Sequence, residues 1–132
     1  MAGGIGTGAA VRAAVVAGAD LCYMGTRFIA AVESIASEEY KQMVIEACYE
    51  DLILTDKVTG AKAYYLRQSL EKMGLDPQNI DSGKGINLSD SQNQIRAWKD
   101  VWSAGHGVGA VKTRESLATI ISQLHYEYKL AC

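Results

Sequence analysis

From Thr7 to Gly18 the chain consists of small residues and a single arginine, with Ala10, Ala14 and Ala17 on one face that Val11 and Val15 extend. Spacings of three and four predict a helix, and its small side chains suit close packing against a sheet. Gly18-Ala19-Asp20 supplies the helix exit, and Leu21-Cys22-Tyr23-Met24 follows as a short apolar run, the pattern of a parallel strand covered on both faces. Phe28 to Val32 stays apolar. Ser37, Glu38 and Glu39 read as a capped helix start whose early carboxylates complement the helix dipole. That helix is expected to run to about Tyr49 with an inner face of Tyr40, Met43, Val44, Ala47 and Cys48.

Further along, Leu52 to Thr55 is a short strand and Thr59-Gly60 a turn. Leu66 to Met73 reads as a helix stopped by Gly74 and then Asp76-Pro77. Residues 79 to 94 are polar and glycine-containing, a surface loop, and Ile95 to Trp102 is a short amphipathic segment. After a glycine cluster at Gly105-His106-Gly107-Val108-Gly109, Thr113 is expected to cap a final helix. Leu117, Ile120, Ile121, Leu124 and Tyr128 form its single apolar face.

Two glycine sites suggest chemistry. Ala2-Gly3-Gly4-Ile5-Gly6-Thr7-Gly8 is answered, one helix later, by Met24-Gly25-Thr26. Glycines let backbone amides approach an anion closely, and a helix starting just behind them adds its positive end, so the pair reads as a phosphate grip. In a (β/α)8 barrel the loops after strands 7 and 8 often form such a site. A nucleotide P-loop does not match, because Ala9 and Ala10 follow Gly8 where lysine and a hydroxyl residue are required. The dinucleotide pattern fits poorly too, since Ala9 stands at the position of its third glycine.

The composition narrows the partners. In 132 residues, 48% hydrophobic and 21% charged, the chain can supply one domain's core, and its formal net charge of -2 gives no electrostatic reason to expect nucleic acid or an anionic membrane. No apolar run reaches the ~20 residues of a bilayer span, and residues 1 to 20 lack the features of a secretory signal. A cytoplasmic location is therefore expected. Cys22, Cys48 and Cys132 are odd in number and contain no CxxC pair, which indicates neither a disulfide framework nor a zinc knot.

Several longer motifs carry a family resemblance. Ala2-Gly3-Gly4-Ile5, Gly18-Ala19-Asp20, Met24-Gly25-Thr26-Arg27-Phe28, Leu66-Arg67-Gln68-Ser69-Leu70, Gly74-Leu75-Asp76-Pro77 and Trp102-Ser103-Ala104-Gly105 resemble the C-terminal part of the nitronate monooxygenase family, also called 2-nitropropane dioxygenases. The resemblance covers nearly the whole chain. It implies an α/β fold, the C-terminal fragment of a (β/α)8 TIM barrel, with an inserted and mainly helical lobe. It divides the chain into residues 1–30 (end of strand 7 to strand 8, with the FMN phosphate site), 31–104 (the substrate-side lobe) and 105–132 (a return loop and the last barrel helix). It also implies FMN as cofactor, an alkyl nitronate and O2 as substrates, and oxidative denitrification as the reaction.

By the same resemblance Gly3 and Gly4 end strand 7, while Tyr23, Met24, Gly25 and Thr26 close strand 8, and together these six hold the FMN phosphate. Arg27 either adds charge there or serves a surface ion pair. His106, where many relatives carry glutamine, is a candidate flavin or substrate contact. The family histidine that supports substrate activation belongs before this region, so no catalytic residue is assigned; His106 and His125 are not put in its place. On this reading the chain alone is unstable and inactive.

The alternatives are a flavin-dependent enoyl-acyl carrier protein reductase or an inosine monophosphate dehydrogenase-like barrel, both similar around the two glycine sites. A non-catalytic fragment or complementing half is a third. Tyr64 and Tyr65 are read as core and rim packing residues, with the lining of a substrate pocket as the alternative. No metal site is indicated, and the sequence does not fix the oligomeric state.

Overall fold

The structure is a computed structural model that describes residues 1–77, 80 and 101–131. The predicted loop at 79–94 and the amphipathic segment from 95 lie outside the described residues, apart from Ile80, Val101 and Trp102. Two compact units divide the chain: Met1–Tyr49 together with Gly105–Cys132, and Glu50–Ala104. Residues 31–49, grouped by the sequence reading with the intervening lobe, cluster with the first unit.

In the first unit the chain enters extended. Ala2 forms an isolated parallel bridge with Tyr23, and the Tyr23 N–H donates to the Met1 carbonyl at 2.8 Å. Helix α1 (Gly8–Val16) follows, its start capped by the Thr7 hydroxyl accepting from the Ala10 N–H at 3.1 Å. It ends as predicted at Gly18, whose φ of 97° reverses the chain while the Ala19 N–H reaches back to the Ala14 carbonyl. The expected strand at Leu21–Met24 is reduced to that one bridge, and its faces are unequal. Cys22 and Met24 are half-buried, whereas Leu21 and Tyr23 are 81% and 78% exposed, as successive side chains of an extended segment point to opposite sides.

Short helix α2 (Thr26–Ile29) breaks the apolar run after Gly25. Helix α3 (Glu38–Glu46) begins at the predicted cap, Ser37, which accepts from the Tyr40 N–H at 3.2 Å. It stops before Tyr49 because Ala47 already takes an extended conformation. Val44 and Ala47 are therefore buried while Cys48 is exposed.

The last helix, α5 (Leu117–Leu130), is capped by Ser116 and not Thr113. Ser116 adjoins the first helical residue, whereas the stretch between Thr113 and the helix is committed to tertiary contacts. The Glu115 carbonyl accepts from Val32, and its carboxylate pairs with Arg27. Helices α1 and α5 pack so closely that a Cβ at Gly8 would lie 2.0 Å from the Leu124 carbonyl oxygen. Of the predicted apolar face only Ile120 is fully buried; Leu117 and Ile121 remain exposed.

The second unit is organised around two antiparallel strands, β1 (Leu52–Thr55) and β2 (Ala63–Leu66), in register Leu52 to Leu66 and Thr55 to Ala63. The predicted turn is present, with Gly60 at φ 81°. β2 replaces the expected helix start, so Leu66 ends a strand and helix α4 (Arg67–Lys72) begins one residue later. Gly74, at φ 75°, closes α4 as predicted. Val58, Tyr65, Leu70, Ile80 and Val101 form the unit's core, and the buried Ser69 hydroxyl accepts from the Trp102 N–H at 2.7 Å. No helix among the described residues is long and apolar enough to cross a membrane.

Candidate functional site

Gly3 and Gly4 lie immediately after the parallel bridge with φ of 88° and 71°, a left-handed backbone that L side chains adopt only with strain. The bridge brings this double-glycine bend beside the segment Tyr23–Thr26. All six residues singled out from the sequence, Gly3, Gly4, Tyr23, Met24, Gly25 and Thr26, line one cavity of about 200 Å3. Ile5 and two residues from the second glycine cluster, Gly105 and Gly107, complete its walls. The sequence offers His106 of that cluster as a flavin or substrate contact, whereas the cavity is lined by its two flanking glycines. The signal for them was the glycine spacing itself.

Thr26 ties the loops together. Its hydroxyl oxygen accepts from the Gly105 N–H at 2.8 Å, which leaves the hydroxyl proton for a further acceptor. A Cβ at Gly105 would sit 3.3 Å from that oxygen, so a side chain there would crowd the tie. No lining residue carries a charge. An anion in the cavity would therefore be met by backbone and hydroxyl dipoles, with no counter-ion among the lining residues.

Two elements expected to help do not face this cavity. The first amides of α1 are already engaged: the Gly8 N–H donates to the Glu127 carboxylate at 2.6 Å and the Ala10 N–H to Thr7. Arg27, 6% exposed, is turned into the unit, pairing with Glu115 at 2.9 Å and donating to the Gln123 side-chain oxygen at 2.8 Å. The ion pair joins a buried arginine to a half-buried carboxylate. The Arg27 hydrogen bond, aided by Gln123 and the Arg27 charge, holds the Glu115 carboxyl below the usual carboxylate range against the opposing effect of burial.

His106 is exposed and does not line the cavity, although its neighbours Gly105 and Gly107 do. Its ring packs against Tyr49, with centroids 5.3 Å apart and planes tilted by 36°. Tyr65 is buried in the second unit's core with its hydroxyl 3.2 Å from that of Thr59. His125 borders a different, apolar cavity of about 400 Å3, together with Val11 and Val15 of α1, Leu21, Cys22 and Met24, and Ile121, Leu124 and Tyr128 of α5.

Comparison with known proteins places this geometry in context. The family model described as nitronate monooxygenase matches residues 1–124. A curated nitronate monooxygenase from Paraburkholderia phytofirmans is 26% identical over 97% of this chain, which spans 37% of that protein. A mutant FabK from Thermotoga maritima superposes with a TM-score of 0.72 at 25% identity, over 98% of this chain and 41% of its own. A nitroalkane oxidase from Streptomyces ansochromogenes superposes at 0.69 and 25% identity, over 98% of this chain and 39% of its own. The chain thus spans about two fifths of the length of these relatives.

Proposed function

Because the chain belongs to the nitronate monooxygenase family, we propose that its glycine-lined cavity is the phosphate end of an FMN site in an oxidoreductase acting on alkyl nitronates with O2. One observation carries this reading. The parallel Ala2–Tyr23 bridge sets the Gly3-Gly4 bend beside Met24-Gly25-Thr26, and both line one cavity together with Gly105 and Gly107. On this reading the bridge joins strands 7 and 8 of a barrel, and the flavin phosphate sits beyond their ends.

The residues present fit that end of the cofactor. Whole ligands of drug size occupy pockets of about 300–1,000 Å3, so a cavity of about 200 Å3 suits a terminal group. Gly3 and Gly4 hold a left-handed bend beside the cavity that L side chains adopt only with strain. Thr26, held by Gly105, has a hydroxyl proton to donate. FMN, when bound, supplies the electron chemistry of the family, while these residues bind and orient its phosphate. Glu50–Ala104 is the candidate for the substrate side. We assign no proton-transfer residue, and turnover by this chain alone is not expected. The proposed location is the cytoplasm, with neither nucleic acid nor membrane as partner.

Protein reconstituted with FMN should retain a flavin absorption band through gel filtration, and Gly4→Val or Gly25→Val should abolish it. Colourless protein that cannot be reconstituted would overturn the reading. The fold match to FabK is as good as that to the nitroalkane oxidase, so a flavin-dependent reductase is the second reading. Binding of propionate 3-nitronate against a crotonyl thioester by the FMN-loaded protein separates the two.

A further inference from the structure

His106 stands between two residues that line the cavity yet is not itself a lining residue, so its influence on the site must pass through the turn that it opens. That turn, His106–Ala110, is held on three sides. The Gly105 N–H is bonded to Thr26, and the Val108 N–H closes back on the Gly105 carbonyl at 3.0 Å. A Cβ at Gly6 would lie 3.0 Å from the Gly107 carbonyl oxygen, and one at Gly107 would lie 3.3 Å from that of Ile5, so the turn and the first glycine loop are in close backbone contact. The fourth side is the His106 side chain. Its Cβ lies 3.9 Å from where a Cβ of Gly4 would stand, and its ring rests on Tyr49.

Neither ring is needed by a hydrophobic core, because both residues are exposed. Val108 anchors the far side of this turn in the unit's interior, and an exposed aromatic pair at its near edge restricts the glycine-flanked backbone on the other side. We propose that Tyr49 and His106 form a positioning pair for the phosphate cavity: the stacked rings fix the Gly105–Gly107 turn against Gly4, and His106 touches neither cofactor nor substrate. The inference rests on the FMN reading for the identity of the ligand, and it replaces a contact role for His106 with an indirect one. It specifies phosphate-dependent affinity, since Gly105 and Gly107 of the turn line the cavity assigned to the phosphate.

The test compares FMN with riboflavin, which lacks the phosphate, across His106→Ala, Tyr49→Ala, their double variant, and the ring-preserving His106→Phe and Tyr49→Phe. Each alanine variant should weaken FMN binding about three- to tenfold, the range of one aromatic pair, and leave riboflavin binding unchanged. The double variant should be no weaker than either single one, and the phenylalanine variants should bind like the unsubstituted protein. Equal loss for both flavins, multiplicative losses in the double variant, or no loss would overturn the pair.

If the unsubstituted protein binds FMN no better than riboflavin, the FMN reading falls and the pair is still decided by amide exchange. Exchange at Gly105 and Val108 should quicken in both alanine variants. Unchanged exchange would reject the pair on its own.

Discussion

The two compact units solve the burial problem differently. Glu50–Ala104 closes a core of its own, in which Val58, Tyr65 and Leu70 are almost wholly buried. Among the described residues, every large hydrophobic side chain that is exposed, except Leu54, belongs to the other unit. Leu21, Tyr23, Ile35 and Ile121 are among them, and Val15, Leu21 and Ile121 border the apolar cavity between α1 and α5. The unit that carries the glycine cavity is thus the one with unspent hydrophobic surface. Exposed apolar side chains of this size and number mark a surface open to interaction or to aggregation. Gly3, Gly4, Gly25, Gly105 and Gly107 line one cavity there, while much of the apolar surface around them stays exposed.

The largest effect expected is in the self-contained unit. Tyr65→Ala removes a buried ring and its hydroxyl contact with Thr59, and truncation of a buried aromatic costs about 3–5 kcal/mol. Urea denaturation followed by amide exchange at residues 52–66 measures it. A loss below about 1 kcal/mol, the size of an ordinary surface change, would mean that this core does not hold the unit together.

Next comes the helix contact of the first unit. A methyl group at Gly8 would meet backbone atoms of α5 at 2.0 Å and 2.6 Å, and neither can swing aside as a side-chain tip would. Gly8→Ala should therefore force α1 and α5 apart, at a cost of about 3 kcal/mol, visible as a lowered Tm. An unchanged Tm would show that α1 already moves freely on α5, and the contrast with the second unit would widen.

What could be read from sequence divides along the same line. Local signals survived intact: the Ser37 cap, the Gly18 and Gly74 helix exits and the Thr59-Gly60 turn each depend on a few neighbouring residues. The two glycine clusters lining the cavity, at Gly3-Gly4 and Met24-Gly25-Thr26, were also legible as local patterns, whereas Tyr23 came from the family resemblance. Pairings at long separation were not. Glu127 reaches the Gly8 amide across 119 residues, and Arg27 finds Glu115 across 88, with nothing in either neighbourhood to announce it. β2 was missed for a related reason. Ala63-Tyr64-Tyr65-Leu66 has no alternation of its own, and its strand state comes from pairing with β1.

A smaller and pH-dependent effect belongs to the Arg27–Glu115 pair. The Glu115 carboxyl is held below its ordinary range in the folded protein, so its contribution is fully present above the unfolded carboxylate value. It is lost as pH falls through the lowered native one. Glu115→Gln should cost about 2 kcal/mol at neutral pH, as expected for a hydrogen bond to a charged group, and the Tm curves of variant and parent should converge in acid. Parallel curves would remove the charge from the account and leave only shape.

The smallest effect bears most directly on the comparison. Leu21 is 81% exposed and Ile121 is 56% exposed, so replacing either by serine removes little buried area. Leu21→Ser and Ile121→Ser should change unfolding free energy by no more than about 0.5 kcal/mol, as surface substitutions do. Both should reduce aggregation measured by light scattering, because each shrinks an apolar patch. A clear loss of stability with no gain in dispersity would have the opposite meaning: these side chains would already be packed against protein in solution. The difference between an open unit and a closed one would then disappear.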